Sequence, residues 1–289
     1  MNDEKRQWGC IKSTEDSRDW GIETVAKSIN AAALPEEYRT EGKVKVLDQG
    51  IYSTCVAHAI ATAMAYCEFK LGYNTCSDFS RGFIYANRRK DDWQGEGMMT
   101  RQALKNLNHD GDCLYESFTY NNTYPYCHNK LLAREKELKV KASPYKIVNY
   151  FRCYGELEVK TAIMTLGAVV VAMPVYKFGL HAEVQVPTKD DVEDGHHAMC
   201  CVGWDKTGWI IQNSWGKKFG NDGFCHIPYE YPIDEFWGIT IKEGIPPIKK
   251  QPWIVRFGHW LAQKWLELML WLRRKRNNRK HKDDIKIKF

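Results

Sequence analysis

Several ordinary features are missing from this 289-residue chain, and each absence narrows what it does. The opening residues Met1-Asn2-Asp3-Glu4-Lys5-Arg6-Gln7 hold no apolar run, so they do not read as a secretory leader. Without that leader, ten cysteines scattered over a long chain read as reduced thiols of a cytoplasmic protein rather than as a secreted disulfide scaffold. The cysteines and histidines also lack the paired close spacing of a zinc site, so no metal and no cofactor is expected. Nor is there an unbroken apolar stretch of membrane-spanning length. The best candidate, Trp253 to Leu272, is interrupted by Arg256, Gln263, Lys264 and Glu267.

What is present is enough for a folded protein: 44% hydrophobic residues can bury a sizeable core as one large domain or two small lobes. Val56, Ile60, Ala63, Cys67 and Leu71 recur at helical spacing and predict a helix beginning near Cys55. Further helices are expected at Arg81 to Lys90 and Thr100 to Asn108, the second with Ala103, Leu104 and Leu107 on one side. The later half reads as strands: Tyr145 to Tyr154, Ala168 to Met173, Ala198 to Trp204, Trp209 to Asn213, Phe224 to Pro228 and Trp237 to Ile241. A helix from Glu156 to Leu166 falls among them. Cys200-Cys201 lies in one such strand, where adjacent side chains point to opposite faces, so both read as core. Helices followed by strands indicate an α+β fold.

Two distant segments carry chemistry. Asp48-Gln49-Gly50-Ile51-Tyr52-Ser53-Thr54-Cys55 places a glutamine six residues before a cysteine at a helix start. His196-His197-Ala198 lies upstream of Gln212-Asn213-Ser214-Trp215-Gly216, with sixteen residues from His197 to Asn213. A cysteine at its free pKa of roughly 8.5 is only a few per cent thiolate at neutral pH, so a nucleophile needs a cation or a helix N-terminus beside it. His197 supplies the cation by taking the thiol proton, and Asn213 accepts from the other ring nitrogen to fix the tautomer. The Gln49 amide and the Cys55 backbone N–H supply donors for a developing oxyanion. His196 competes with His197 for the base role; the step to Asn213 and the following Ala198 favour His197. His58, one turn beyond Cys55 on the same helix, reads as structural or as a polar lining. Met98 and Met99 read as packing or pocket wall.

From Leu34 to Ile241 the chain resembles the papain-like cysteine peptidases. The resemblance implies that Gln49 is the oxyanion-hole glutamine, Cys55 the nucleophile, His197 the base and Asn213 its orienting partner, with Trp215 shielding the His/Asn bond from water. Gly95-Glu96-Gly97 resembles the glycine loop that pairs with extended substrate, and Gly97, Trp215 and His196 are the expected substrate-side residues. Two positions depart from the secreted members: Tyr52 stands where they carry a disulfide cysteine, and Val56 follows the nucleophile in place of tryptophan. Both are similar to the shorter, prokaryotic-looking branch. The resemblance implies a helical lobe and a β-barrel-like lobe with Cys55 and His197 on opposite walls of a cleft.

The expected organisation is an N-terminal extension over 1–33, a peptidase domain over 34–245 and a basic amphipathic tail over 246–289. Within the extension no long helical prosegment is expected, and Arg18-Asp19-Trp20 reads as a piece packed on the surface. Restraint of activity would then come from location, a partner or substrate scarcity. The tail from Lys249 carries thirteen Lys/Arg against three Asp/Glu, a net +10, which leaves −4 for the rest of a chain of net +6. Ile254, Phe257, Leu261, Trp265, Leu268 and Leu272 follow helical spacing, and Arg273-Arg274-Lys275-Arg276 follows them. Residues 252–280 therefore read as an interfacial helix on an anionic membrane, peripheral on its inner face, with partner docking or a true span as alternatives. Nucleic acid is disfavoured as a partner, since basic tails are often merely solvated.

The expected activity is peptide hydrolysis through an acyl-enzyme on Cys55, acting on a peptide or protein substrate. Two alternatives stand beside it: acyl transfer to an amine or thiol by the same triad, and a catalytically silent papain-like binding module at a membrane.

Overall fold

Residues 7–17, 19–22, 34–73 and 75–242 are described in the computed structural model. Two short strands, β1 (Cys10–Ile11) and β2 (Tyr38–Arg39), precede the first helix, α1 (Cys55–Lys70). The sequence pattern predicts one apolar stripe on that helix, whereas every residue from Cys55 to Glu68 is buried. Leu71, the last member of the predicted stripe, lies past the helix end and is exposed. A helix enclosed on all sides needs small side chains where neighbours come close, and Ala57, Ala59, Ala61, Ala63 and Ala65 supply them.

The N-terminus of α1 has an unusual feature for a buried helix. Thr54 sits at the cap position without a side-chain capping bond. The first-turn N–H groups are thereby left for whatever lies beyond the helix end, together with the positive end of the dipole.

Next come α2 (Arg81–Ala86), β3 (Met98–Met99) and α3 (Thr100–Asp110). The expected continuation of α2 to Lys90 fails because Asn87 leaves helical geometry, and the Arg88 side chain turns back onto the carbonyls of Tyr85, Trp93 and Gly95. α3 buries Ala103, Leu104 and Leu107 as the spacing predicts, and it ends on Gly111 at φ +83°.

Two helices, α4 (Tyr124–Leu132) and α5 (Glu135–Ala142), go unread in the sequence. Each buries so little that its periodicity is thin: Leu138 and Ala142 are the buried residues of α5. Its outer face is instead laced by Glu135–Lys139 and Glu137–Lys141 pairs, at 2.8 and 2.7 Å.

The second half builds one antiparallel sheet from β4 (Ile147–Cys153), β5 (Val169–Tyr176), β6 (Glu193–Trp204), β7 (Gly208–Gln212), β8 (Phe224–Pro228) and β9 (Glu235–Ile241), with α6 (Gly155–Leu166) packed on it. The strand order is β4-β9-β5-β6-β7-β8, and β2 joins through β6. β5 is apolar without alternation because both its faces are covered. Val170 and Ala172 enter the core shared with α1, whereas Val169, Val171 and Met173 enter a second core on the far side. Cys200 and Cys201 divide in the same way. The chain thus has a helical side and a sheet side with a common core between them, an α+β architecture of two lobes. The 243–289 tail, including the expected lipid-binding helix, lies outside the described residues. Among the described residues no helix is long and apolar enough to cross a membrane.

Candidate active site

The fold brings the two chemistry-bearing segments together by stitching one loop onto the other. The Gln49 N–H donates to the Ser214 carbonyl at 2.8 Å, the Gly216 N–H donates to the Leu47 carbonyl at 2.9 Å, and Asp48 bridges to Trp215. The Gln49 side chain is held at both ends. Its Oε1 accepts from Ser214 Oγ at 2.7 Å, and its Nε2 donates to the Tyr52 carbonyl at 2.9 Å. That fixes the amide orientation and leaves Nε2 a second hydrogen. The loop is backed by Asn121, which donates to the Gln49 carbonyl at 2.9 Å and accepts from Thr54 Oγ1 at 3.1 Å. Neither Asn121 nor Ser214 was singled out from sequence. Their role is visible only once distant loops meet.

His197 sits on β6 opposite Met173 of β5, fully buried. Its Nε2 lies 2.9 Å from Asn213 Oδ1. The same oxygen accepts the Ser214 N–H at 2.7 Å, which marks it as the acceptor, so Nε2–H is the donor and Nδ1 is the basic nitrogen of the neutral ring. The Trp215 ring covers this pair with centroids 5.2 Å from the imidazole, and Phe219 packs edge-on against Trp215.

Cys55 is likewise fully buried at the uncapped start of α1. Burial pushes its thiol up to about 11, and backbone hydrogen bonds from Ala198, Gly9, Val56 and Cys55 itself pull the other way. The Ala198 bond places the sulfur beside the residue that follows His197. Val56 and Cys55 are the first-turn donors that the missing cap left over.

The remaining expected residues divide. His58 is buried, its Nδ1 lies 2.9 Å from the Thr54 carbonyl, and burial drives its pKa down to about 3, so it stays neutral beneath the helix start. His196 points away from His197 on the opposite face of β6, with Nε2 3.0 Å from Asp234 Oδ2 and Nδ1 3.3 Å from Glu193. Gly97 has φ +76°, and its N–H donates to the Tyr85 hydroxyl at 3.0 Å.

The largest surprise is the N-terminal segment, which the sequence placed on the surface near Arg18-Asp19-Trp20. Arg18 is outside the described residues, but Asp19 is tucked in, its carboxylate 2.7 Å from Arg101 Nε. Upstream, residues 7–13 form a strap across both lobes. Gln7 N–H donates to the Ile51 carbonyl at 3.3 Å, and Ser53 Oγ donates to Gln7 Oε1 at 3.0 Å. The Trp8 ring lies 5.7 Å from His197 and 5.8 Å from Trp215, and its Nε1 donates to Asp194 at 2.8 Å. Gly9 passes over the Cys55 sulfur and accepts the Met98 N–H at 2.9 Å, after which β1 pairs in parallel with β3. A Cβ on Gly9 would lie 2.2 Å from the Ser53 carbonyl oxygen, so only glycine permits this approach. Lys12 then reaches Asp234 at 2.5 Å, and Ser13 N–H donates to Glu235 at 3.2 Å. A tryptophan, a glycine and a cysteine in a row carry no periodicity, so nothing in the sequence signalled the strap.

The strap explains why the site is not an open pocket. A cavity of about 570 Å³ lined by Arg39, Asp205, Asn221 and His226 among others contains none of these site residues. Among the described residues no cluster of three or more His, Cys, Asp or Glu is placed to hold a metal.

The strap's anchorage depends on pH. Burial raises the Asp234 carboxyl, yet hydrogen bonds from His196 and Lys12 win and hold it below its ordinary 3.8. Its contribution is therefore present above 3.8 and is lost as pH falls through the lowered value. His196 is raised above its ordinary 6.5, first by its bond to Asp234. That contribution is complete below 6.5 and fades as pH rises through the raised value. Limited proteolysis within residues 7–13 should accordingly be slowest at mildly acid pH and faster on either side. Asp234→Asn should flatten that profile.

A buried cysteine at a helix start, a histidine hydrogen-bonded to an asparagine and a glutamine amide held at both ends thus come together on an α+β frame. The comparisons agree. The model of the papain family of cysteine proteases matches residues 35–237, and the chain belongs to that family. An uncharacterised peptidase C1-like protein of Acanthamoeba polyphaga mimivirus is 28% identical over 279 residues, covering 84% of this chain and 89% of its own. Among solved structures, xylellain, a cysteine protease from Xylella fastidiosa, superposes with a TM-score of 0.72 at 28% identity, covering 83% of this chain and 97% of that one. Procathepsin B S9 from Trypanosoma congolense shares the fold at a TM-score of 0.64 and 16% identity, covering 82% and 87%. The protein is thus a papain-family cysteine peptidase, acting on peptide or protein substrates.

Proposed function

We propose that hydrolysis proceeds through a thioester on Cys55, and the observation that carries this is the His197 Nε2–Asn213 Oδ1 contact of 2.9 Å beside a cysteine at an uncapped helix start. With Nε2 committed to Asn213, Nδ1 takes the Cys55 proton, giving a thiolate and an imidazolium. The sulfur attacks the substrate carbonyl, whose oxygen becomes an anion held by the second Gln49 amide hydrogen and the Cys55 backbone N–H. The imidazolium returns its proton to the leaving amine, leaving an acyl-thioester. Water, deprotonated by the same nitrogen, adds to that thioester, and the acid departs as the thiol re-forms.

Removing one oxyanion donor typically costs about 10²–10³-fold in kcat. Gln49→Ala should therefore lower kcat by roughly that factor with little change in KM, as steady-state kinetics on a fluorogenic peptide would show. Because Gln49 also bonds Ser214 and Tyr52, a thermal melt of the variant separates lost chemistry from a collapsed loop.

Transfer to an amine uses the same steps with a different acceptor. Product analysis with an added amine tells the two apart, and free acid as the main product supports hydrolysis. A silent binding module would instead show Cys55 reacting no faster than an ordinary thiol once the strap is open. For residues 252–280 the composition supports attachment to an anionic membrane, on the cytoplasmic side. Flotation with anionic vesicles should carry the full chain upward, and failure to float would retire the idea.

A further inference from the structure

We propose that Asp234 is a specificity-determining residue of this peptidase, selecting substrates with a lysine or arginine on the acyl side of the scissile bond. The proposal rests on the reading of Cys55 as the nucleophile. The strap displays what an extended chain meets on its way through the site. At one end the Trp8 ring lies 5.7 Å from His197 and 5.8 Å from Trp215. Gly9 lies against the loop just before Cys55, so close that a Cβ would meet the Ser53 carbonyl oxygen at 2.2 Å, and its own carbonyl accepts the Met98 N–H at 2.9 Å. Cys10 and Ile11 then pair with Met98 and Met99, and the Lys12 ammonium ends 2.5 Å from Asp234 Oδ1.

The two ends of that path differ chemically. His197 returns its proton to the leaving amine, so the leaving group belongs beside His197 and Trp215, where Trp8 lies. Lys12 therefore marks the acyl side. A substrate running from its acyl side to its leaving group travels opposite to the strap, yet it meets the same fixed partners. The Met98 N–H is a main-chain donor that any extended peptide can use, and pairing of that kind leaves sequence preference to the side chains around it.

The acyl-side end of the path is anionic. Asp234 Oδ2 lies 3.0 Å from His196 Nε2, which fixes the carboxylate and turns Oδ1 toward Lys12. Beside it, Glu235 Oε1 accepts the Ser13 N–H at 3.2 Å while Oε2 accepts the Trp237 indole N–H at 2.6 Å. Glu193 lies 3.3 Å from the other nitrogen of His196. The neighbouring Arg152 is already engaged: it donates to the Asp234 carbonyl at 2.9 Å and faces the Asp19 carboxylate at 4.0 Å. With Lys12 withdrawn, the carboxylates of Asp234, Glu235 and Glu193 face only His196 there, and an incoming ammonium or guanidinium takes the place of the strap's own cation. The Asp234 side chain is 11% exposed. A pair with it falls between a surface ion pair, worth almost nothing, and a buried one, so discrimination of about tenfold is expected.

The test uses the full chain carrying Gly9→Ala and Lys12→Met, which loosens the strap and removes its cation. Fluorogenic peptides are compared in pairs, lysine against norleucine, with the exchange made at each acyl-side position in turn. At one of these positions kcat/KM should be about tenfold higher for lysine, and the ratio should shrink as salt is added. Asp234→Asn should erase the preference and Asp234→Glu should keep most of it. Loosening of the strap acts on both peptides of a pair alike, so the ratio reports selection alone. The lysine–norleucine comparison and its salt dependence need no change at Asp234, so they decide even where Asp234→Asn fails to fold. Fluorescence anisotropy with the same peptides, on the chain with Cys55→Ala added, reads affinity without turnover. Equal values for lysine and norleucine at every acyl-side position, or a preference that survives Asp234→Asn, would overturn the proposal. A chain that binds lysine peptides more tightly through Asp234 yet cleaves nothing would defeat the hydrolase reading alone. A chain that cleaves peptides without this preference would defeat the present proposal alone.

Discussion

Cys55→Ala is expected to abolish peptide hydrolysis, a loss of about 10⁴-fold or more, because every step of the proposed cycle forms or breaks a bond to that sulfur. The variant should fold. Alanine removes one sulfur from a helix that already carries alanine at Ala57, Ala59, Ala61, Ala63 and Ala65, and Cys55 provides no structural disulfide. Circular dichroism and the thermal midpoint should therefore stay close to the parent while turnover vanishes. Hydrolysis that persists at more than a few per cent of the parent rate would require another nucleophile. Among the other nine cysteines, Cys76 is only partly buried and the rest are buried thiols, so persistence would dismantle the mechanism rather than relocate it.

Opening the strap should produce the second large effect, in the opposite direction. With the strap seated, the Cys55 thiol is held near a pKa of about 11 by burial. Each unit by which that value falls multiplies the thiolate fraction at neutral pH about tenfold. Gly9→Ala is the sharpest way to lift the strap in the full chain, since its new Cβ would meet the Ser53 carbonyl oxygen at 2.2 Å. The strap yields rather than the loop. Ser53 lies in a loop pinned by Gln49, Asn121 and Ser214, whereas residue 9 is held from the other side by the Met98 N–H. The rate of iodoacetamide labelling at Cys55 should rise by at least about tenfold, and hydrolysis should rise with it. Equal labelling in Gly9→Ala and parent would mean that the strap does not guard the sulfur.

The residues of the candidate site were easier to single out than the segment that lies against them, and the reasons are physical. Cys55, His197, Asn213 and Gln49 stand out because an acyl-transfer site needs particular residue types, and the spacing around each is distinctive. The β-strands from Ile147 to Ile241 were legible because buried strands are written in apolar runs, with Phe224–Pro228 placed to the residue. β6 begins at Glu193, five residues earlier than its apolar part, because Pro174, Val175 and Tyr176 of β5 pair with His196, Gly195 and Glu193 there. The exposed helices α4 and α5 bury too few side chains to leave a pattern. The strap is harder still. Trp8, Gly9 and Lys12 make contacts with Trp215, Ser53 and Asp234 among others, all far away in sequence. Such contacts leave no trace in composition or periodicity. For that reason the sequence led to restraint by location, a partner or substrate scarcity, and gave no sign of the segment whose Trp8 ring lies against His197 and Trp215.

One measurement bears most directly on the central claim: site mapping of the adduct formed by an epoxide peptide, a thiol trap that reacts only where an acyl-transfer nucleophile is activated. Intact-mass spectrometry of the Gly9→Ala chain should show a single adduct, and digestion should place it on Cys55 out of ten cysteines. Adding His197→Ala to that chain should suppress labelling, because the imidazole that forms the thiolate is gone. An adduct on any other cysteine, or labelling of Cys55 that is indifferent to His197, would contradict the account.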